Sequence, residues 1–432
     1  MRVFFVLLGV FCALLFFVAQ ESSTSAVFDA PVTGDFGDPL PLLTEFELSQ
    51  FELGRSVFAR RFRRRDGLGP HFNATSCTSC HEDPAVGGSS QRYRDFFLAG
   101  RIEDDVLVKS YDDCTEENVD SHRTELCLPS IVIPHYGPPA SIANPLSREV
   151  AHPPIPPEAT VVARRNAPPL FGVGLFRLVS DEEILSRADP NDFDGDGISG
   201  RVNIIASEDN QIGRFGYKCQ TASIEAFNRG ALHNQMGITS DSLEVAVVTP
   251  QDDGRPTLVE RAFATRVAHA QAANPIDRIF DFDDAFDPEI APSQLAALVS
   301  FQENLAAPRR GEVTPTVERG EVLFNEIGCA DCHVASLDTT LGLIHPYTDL
   351  LLHNMGEELA DGVIMDGARG DEFRTQPLWG LCEHPPFLHD GRADTVEEAV
   401  LIHGGEALEA RNKFSALDEI ESQELLRFLG SL

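Results

Sequence analysis

Two pentapeptides of one form, Cys77-Thr-Ser-Cys80-His81 and Cys329-Ala-Asp-Cys332-His333, constrain this chain more than any other feature. A Cys-x-x-Cys-His run is the attachment site of haem c: both thiols add to the haem vinyl groups and the adjoining histidine becomes the proximal iron ligand. A zinc half-site is the alternative for one such run, but a zinc knuckle wants a second ligand pair close in sequence. Two complete copies point to two covalently bound haem c groups, with His81 and His333 on the irons.

The ends and the charge say where such a chain works. Met1-Arg2 precedes an unbroken apolar stretch, Val3 to Val18, followed by a Ser/Thr-rich segment ending near Ala26. This reads as a signal peptide over residues 1–26, and hence as a periplasmic or otherwise exported protein. A retained anchor is the alternative, although the stretch is shorter than the ~20 residues of a spanning helix. No later segment is expected to span a bilayer.

Of nine cysteines, Cys12 is expected to leave with the signal and four serve haem. Cys114 and Cys127 bracket a polar loop and read as a disulfide or as two free thiols; Cys219 and Cys382 stay unassigned. The formal net charge is -34 over 432 residues, with lysine only at 109, 218 and 413. Such a surface repels nucleic acid and anionic membrane and attracts a basic electron-transfer partner, unless the acids only serve solubility.

The expected fold class is mainly α, with two cytochrome c-like domains, the first enlarged by loop-rich insertions. A haem-binding turn needs a helix running into it and a second helix packing across. That order occurs twice. Thr44 to Phe62 opens the first unit, with a possible Thr44/Glu47 capping box, and Ser293 to Leu305 closes it. Val317 to Asn325 and Leu417 to Leu429 do the same for the second. Gly54/Phe58 and Gly320/Phe324 repeat one spacing, the glycine leaving room for another helix. Residues 306–311 with Pro315 read as a linker, giving an N-terminal haem domain over 27–306 and a C-terminal one over 307–432. The Pro-rich stretch 129–157 reads as irregular extended chain.

Longer runs carry a family resemblance. Arg164-Arg-Asn-Ala-Pro-Pro-Leu-Phe-Gly172, Ala188 to Asn203, Gly213-Arg-Phe-Gly216, Met236-Gly-Ile-Thr-Ser240, Pro346 to His353, Leu388-His-Asp-Gly-Arg392 and Glu397-Glu-Ala-Val400 are similar to those of bacterial di-haem oxidoreductases. These are peroxidase-like proteins, some called thiol oxidoreductases, related to di-haem cytochrome c peroxidase and to the methylamine dehydrogenase maturation enzyme. The resemblance implies two cytochrome c domains face to face.

It also implies site roles. The second haem of the relatives takes its distal ligand from a helix after a His-x-Gly turn, which places His403 where they carry methionine. Met355 is the rival ligand, and a polar helix-end residue is the alternative for His403. At the first haem, the glutamate of the relatives is replaced by Gln235, which cannot shuttle a proton, so classical peroxidase turnover needs His233 or another group to substitute. His71 and His152 are alternative distal ligands or loop histidines. Trp379 reads as a relay between haems or as core packing. Arg374, Arg392 and His389 are candidates for the haem propionates. Asp192, Asp194 and Asp196 have calcium-loop spacing, with Asn203 in place of the bidentate glutamate; an acidic turn without metal is the alternative.

The reading that follows is an exported di-haem oxidoreductase, passing electrons from the C-terminal to the N-terminal haem. A small redox protein or other electron donor and a small oxidant such as peroxide are its expected partners. A di-haem electron carrier with both irons six-coordinate is the alternative. Oxidation of a protein side chain or polymer, as in some relatives, is a third.

Overall fold

The computed structural model describes residues 31–69, 73–91, 96–103, 106–108, 132–134, 159–243, 285 and 288–432. The expected signal peptide, His71, the Cys114/Cys127 pair and His152 lie outside them. Among the described residues no helix is long and apolar enough to cross a membrane.

Helix α1 (Glu45–Ala59) starts where Thr44 Oγ1 accepts the Glu47 amide at 3.2 Å and the Glu47 carboxylate takes the Thr44 amide at 2.8 Å. That reciprocal pair satisfies two of the donors a helix start leaves open. The helix stops three residues short of the expected Phe62. Arg60 is extended, and Phe62 donates its amide to the Thr75 carbonyl at 2.8 Å, so the chain is pulled toward the first pentapeptide.

Short α2 (Asp181–Leu185), α3 (Ile224–Met236) and α4 (Pro292–Glu303) complete the first half. In the second, α5 (Pro315–Glu326) is capped by Thr314 and α6 (Val396–Ile402) by a Thr395/Glu398 box. Then come α7 (Leu408–Ala416) and α8 (Glu419–Leu429), the latter capped by Asp418. Asp418 starts α8 two residues later than the Leu417 expected, because its carboxylate takes the amides of Ile420 and Glu421.

The two halves build one crossing twice. A Cβ added at Gly54 would press on the Ala297 carbonyl and sit 2.7 Å from Phe301 Cβ. One added at Gly320 would press on the Glu424 carbonyl and sit 2.7 Å from Phe428 Cβ. Glycine is therefore what lets α1 meet α4, and α5 meet α8, at backbone contact. One turn on from each glycine, Phe58 packs on Phe301 (centroids 5.1 Å) and Phe324 on Phe428 (5.2 Å). The same phenylalanines face the two pentapeptide histidines, Phe58 to His81 at 6.0 Å and Phe324 to His333 at 6.4 Å. This repeated frame makes the fold mainly α, with two cytochrome c-like units.

The first half also holds a sheet the sequence reading did not foresee. Its strand Phe96–Glu103 pairs antiparallel with Val106–Val108, Val132–Pro134 and Val161–Arg165. Clear apolar/polar alternation is absent from these runs, so the period-2 signal was weak.

Residues 306–311 are held by neighbours on both sides. Thr33–Gly34 pairs in parallel with Ala307–Pro308. The amides of Ala306 and Ala307 reach the carbonyls of Asp38 and Val32, both at 3.0 Å, and Gly311 donates to Ser431 at 2.8 Å. The first hydrophobic core takes in Leu337, Leu350, Leu351 and Trp379 from the second half, so the halves share buried surface.

Candidate functional site

Both pentapeptides fold as one tight turn, with the His81 amide donating to Cys77 at 3.0 Å and the His333 amide to Cys329 at 2.9 Å. Each ring is then fixed from behind: His81 Nδ1 donates to the Gly88 carbonyl at 3.0 Å, and His333 Nδ1 to the Tyr347 carbonyl at 2.9 Å. A carbonyl can only accept, so Nδ1 carries the proton in each neutral ring and Nε2 of His333 keeps its lone pair, as a metal ligand requires; the Pro168 carbonyl also bonds the His81 ring. Burial, opposed by these bonds, holds both rings neutral, and that of His333 titrates down at about 4. Burial also pushes the Cys77 and Cys329 thiols up to about 12, so both stay protonated until they react.

Above the second pentapeptide lies a cavity of about 580 Å³, inside the roughly 300–1,000 Å³ range of cofactor clefts. Cys329, Cys332 and His333 line one side; His403 and Met355 also line it. His403 follows the last turn of α6, and its Nδ1 donates back to Ala399 at 2.7 Å. That bond repeats the arrangement behind His333 and leaves a second Nε2 lone pair at the same cavity. Burial keeps His403 neutral as well, and its proximity further depresses His333. Met355 lies beside the Gly404–Gly405 turn, where a Cβ at Gly404 would come 3.0 Å from the Met355 carbonyl.

The polar groups of the wall suit an anionic guest. Buried Arg374 spends Nη1 on the Arg214 carbonyl (2.9 Å) and Nη2 on Gln376 (2.8 Å), while its Nε is buried without a partner. A buried orphan donor on a cavity wall costs about 1–3 kcal/mol unless something arrives to accept from it, and a propionate would. His384 Nε2 is likewise buried without a partner on this wall. His389 lines the cavity with its ring stacked on Phe373 at 4.2 Å; burial and then Arg165, Arg392 and Lys218 drive its pKa to about 2.

Arg392 does not line the cavity: it pairs with Asp390 and donates to the Glu358 carbonyl. Trp379 also lies off the cavity wall, stacked on Phe176 (5.7 Å, 12°) in the first core, where Gly172 leaves room for its ring. The core-packing alternative describes its surroundings.

On the first half, His233, Gln235 and Met236 occupy the last turn of α3. Met236 is in the core and His233 is buried. Gln235 Oε1 accepts from Asn73 Nδ2 at 3.0 Å, and its carbonyl takes the amides of Asn73 and Ala74 at 2.7 and 3.1 Å. The structure thus brings Gln235 beside the segment that leads into Cys77.

The acidic loop keeps its three carboxylates within 4.8 Å of one another. Asn203 is turned away, donating to the Lys218 and Met365 carbonyls and accepting from Gly367. Asp331 adds a further carboxylate that feels this loop: burial, then Asp196, raise its pKa.

A constellation missed in the sequence lies beside this loop on the cavity wall. His353 is buried with Nε2 on Asp349 (2.7 Å) and Nδ1 on Glu406 (2.8 Å). Burial opposes a charge on this ring, yet Cys332 and the two carboxylates hold its pKa well above the usual value. Burial likewise opposes the charge on Glu406, whose bonds to His353 and Ser199 win and bring it to about 2. Once Cys332 is a thioether, its share disappears and the carboxylates remain. The members of this constellation come from separate segments of the chain, so no local pattern in the sequence marked it.

A duplicated frame that presents one histidine from each Cys-x-x-Cys-His turn defines a cytochrome c-like protein with two haem sites. Residues 156–432 match the family described as Di-haem oxidoreductase, putative peroxidase, and the chain belongs to that family. Membership implies two haem cofactors; Cys77–His81 lies upstream of the matched region.

Among solved structures, the chain resembles the diheme peroxidase BthA from Burkholderia thailandensis at 16% identity, over 94% of this chain and 92% of that one (TM-score 0.40). It resembles a MauG-like protein associated with microbial copper homeostasis at 14%, over 94% and 93% (TM-score 0.38). Hydrazine synthase from Kuenenia stuttgartiensis matches at 20% over 33% of this chain and 56% of that one (TM-score 0.25). No curated protein matches the sequence.

Proposed function

We propose that the chain is an exported di-haem c-type oxidoreductase of peroxidase-like activity, one haem tethered at Cys77/Cys80 and the other at Cys329/Cys332. The observation that carries this reading is the pair His333 and His403, both Nδ1-tethered and both lining the cavity. When bound, the haems would store electrons and, at an iron with an open face, reduce a small oxidant such as peroxide.

The residues present fit that use. His333 and His403 would both hold the second iron, which suits electron entry there and passage to the first haem. Arg374 would take a propionate on its orphan Nε. His81 would hold the first iron. Gln235, bonded to Asn73, would orient an oxidant by hydrogen bonding without moving a proton, so any proton delivery falls to His233. Asp192, Asp194 and Asp196 would bind calcium beside the second haem. The reading divides the chain into haem domains over 27–306 and 307–432, and its electron donor is a small redox protein.

The same glutamine favours a second reading, an electron carrier with two six-coordinate irons. Optical and EPR spectra of the purified protein, oxidised and half-reduced, separate the two. The enzyme shows a high-spin signal that responds to peroxide; two low-spin haems inert in the half-reduced form would sink it.

A further inference from the structure

His403 is followed by two residues with no side chain. Gly404 and Gly405 give the turn behind the ring wide conformational freedom, and Gly405 uses it at φ 56°. The ring is tied to Ala399 on its own helix, and the turn beyond it takes its outside anchor from the side chain that follows the glycines. Glu406 is that side chain, and every hydrogen bond its carboxylate accepts comes from another segment. Oε1 takes Ser199 Oγ at 2.7 Å and the Asn354 amide at 3.2 Å; Oε2 takes the Ser199 amide at 3.1 Å and His353 Nδ1 at 2.8 Å.

Each partner is itself fixed. His353 is gripped on its far side by Asp349, whose other oxygen holds the Leu351 amide at 2.9 Å. Asn354 sits in the hairpin formed by Leu352–Asn354 with Glu372–Arg374. Ser199 closes the acidic loop, which lies flat on His353 because a Cβ at Gly200 would come 2.9 Å from the ring's Cε1.

We propose that Glu406 is the positioning residue of the second haem site. Its carboxylate pins the Gly404–Gly405 turn to the acidic loop and to the hairpin, and so holds His403 at the iron. The proposal rests on the reading of His403 as the sixth ligand. It assigns Glu406 no contact with the reacting atoms.

The test uses the full-length haem-loaded protein and reads EPR g-values, the low-spin optical bands and the reduction potential of the second haem. Charge-assisted bonds of this kind are worth enough that losing them should weaken His403 ligation at least about tenfold. Glu406→Ala should therefore convert much of one haem from low spin to high spin or to mixed ligation, leaving the other unchanged. Glu406→Gln keeps the shape and one acceptor oxygen, so it should fold even where alanine does not, and should show a smaller conversion. Ser199→Ala removes one of the four bonds and should shift the signal least.

His403→Ala separates the two claims. If it alters one low-spin haem while Glu406→Ala and Glu406→Gln both keep wild-type spectra and potential, the positioning role is wrong. If His403→Ala itself changes nothing, the reading beneath it is wrong.

Discussion

Substituting Gly54 by alanine tests the repeated helix crossing directly. In a bare helix the change would stabilise by about 1 kcal/mol, because alanine loses less backbone entropy. Here the new methyl would sit 2.7 Å from Phe301 Cβ and against the Ala297 carbonyl, with no rotamer to relieve it. Reaching an ordinary carbon contact of roughly 3.5–4.0 Å moves α1 and α4 apart by on the order of 1 Å, which forfeits a quarter to a half of the dispersion across the gap.

Phe51, Phe58, Leu298 and Phe301 fill that interface and are almost wholly buried. At about 1.5–3 kcal/mol of burial each, the fractional loss amounts to roughly 1.5–6 kcal/mol, or about 0.5–5 after the helix gain is credited. Thermal unfolding followed by circular dichroism and by the haem absorbance should therefore show a midpoint lower by on the order of 1–6 °C. Gly230→Ala on α3 is the control. A Cβ there meets only Asn234 Nδ2 at 4.0 Å, so that variant should be neutral or slightly more stable. Equal stability for Gly54→Ala and wild type would refute the close-packed crossing.

Three further outcomes are expected. His403→Ala should change the low-spin spectrum of one haem only; an unchanged spectrum removes His403 as a ligand. Calcium added to chelator-treated protein should raise the unfolding temperature of wild type but not of Asp194→Asn, and no response in wild type would dismiss the acidic loop as a metal site. Lys218 is fully enclosed, and burial first, partly offset by Asp361, brings its pKa from 10.5 to about 8. Between those values the native state releases its proton before the unfolded chain does, so stability rises with pH in that window. Wild type should gain up to about 3 kcal/mol on Lys218→Met between pH 7 and pH 10.5 in urea titrations, and a constant difference would contradict the buried charge.

The sequence revealed most about this molecule wherever one local pattern determines one local shape. Thr44/Glu47 marked a helix start, the Gly54/Phe58 and Gly320/Phe324 spacing marked a crossing, and the pentapeptides marked two tight turns. Boundaries slipped by two or three residues because a carbonyl from another segment, Thr75 at Phe62, or a nearer cap, Asp418 at α8, decided them. The sheet around Phe96–Glu103 was not legible, since its strands come from distant segments with no alternation. Long-range polar pairing was equally hidden. Nothing in the neighbourhood of Ser199, Asp349 or Glu406 announces that they converge on His353, and Arg392 looked the equal of Arg374 until Asp390 was seen to occupy it.

The bonded strip at residues 306–311 sets the mechanical character of the molecule. Because Val32, Asp38 and Ser431 grip it from both sides, the separation of the two histidine turns is a property of the scaffold, not of a swinging tether. Charge exchanged between groups seated in those turns has a constant gap to cross. Its rate should be indifferent to solvent viscosity, and a single backbone nick in the strip should leave the pieces associated.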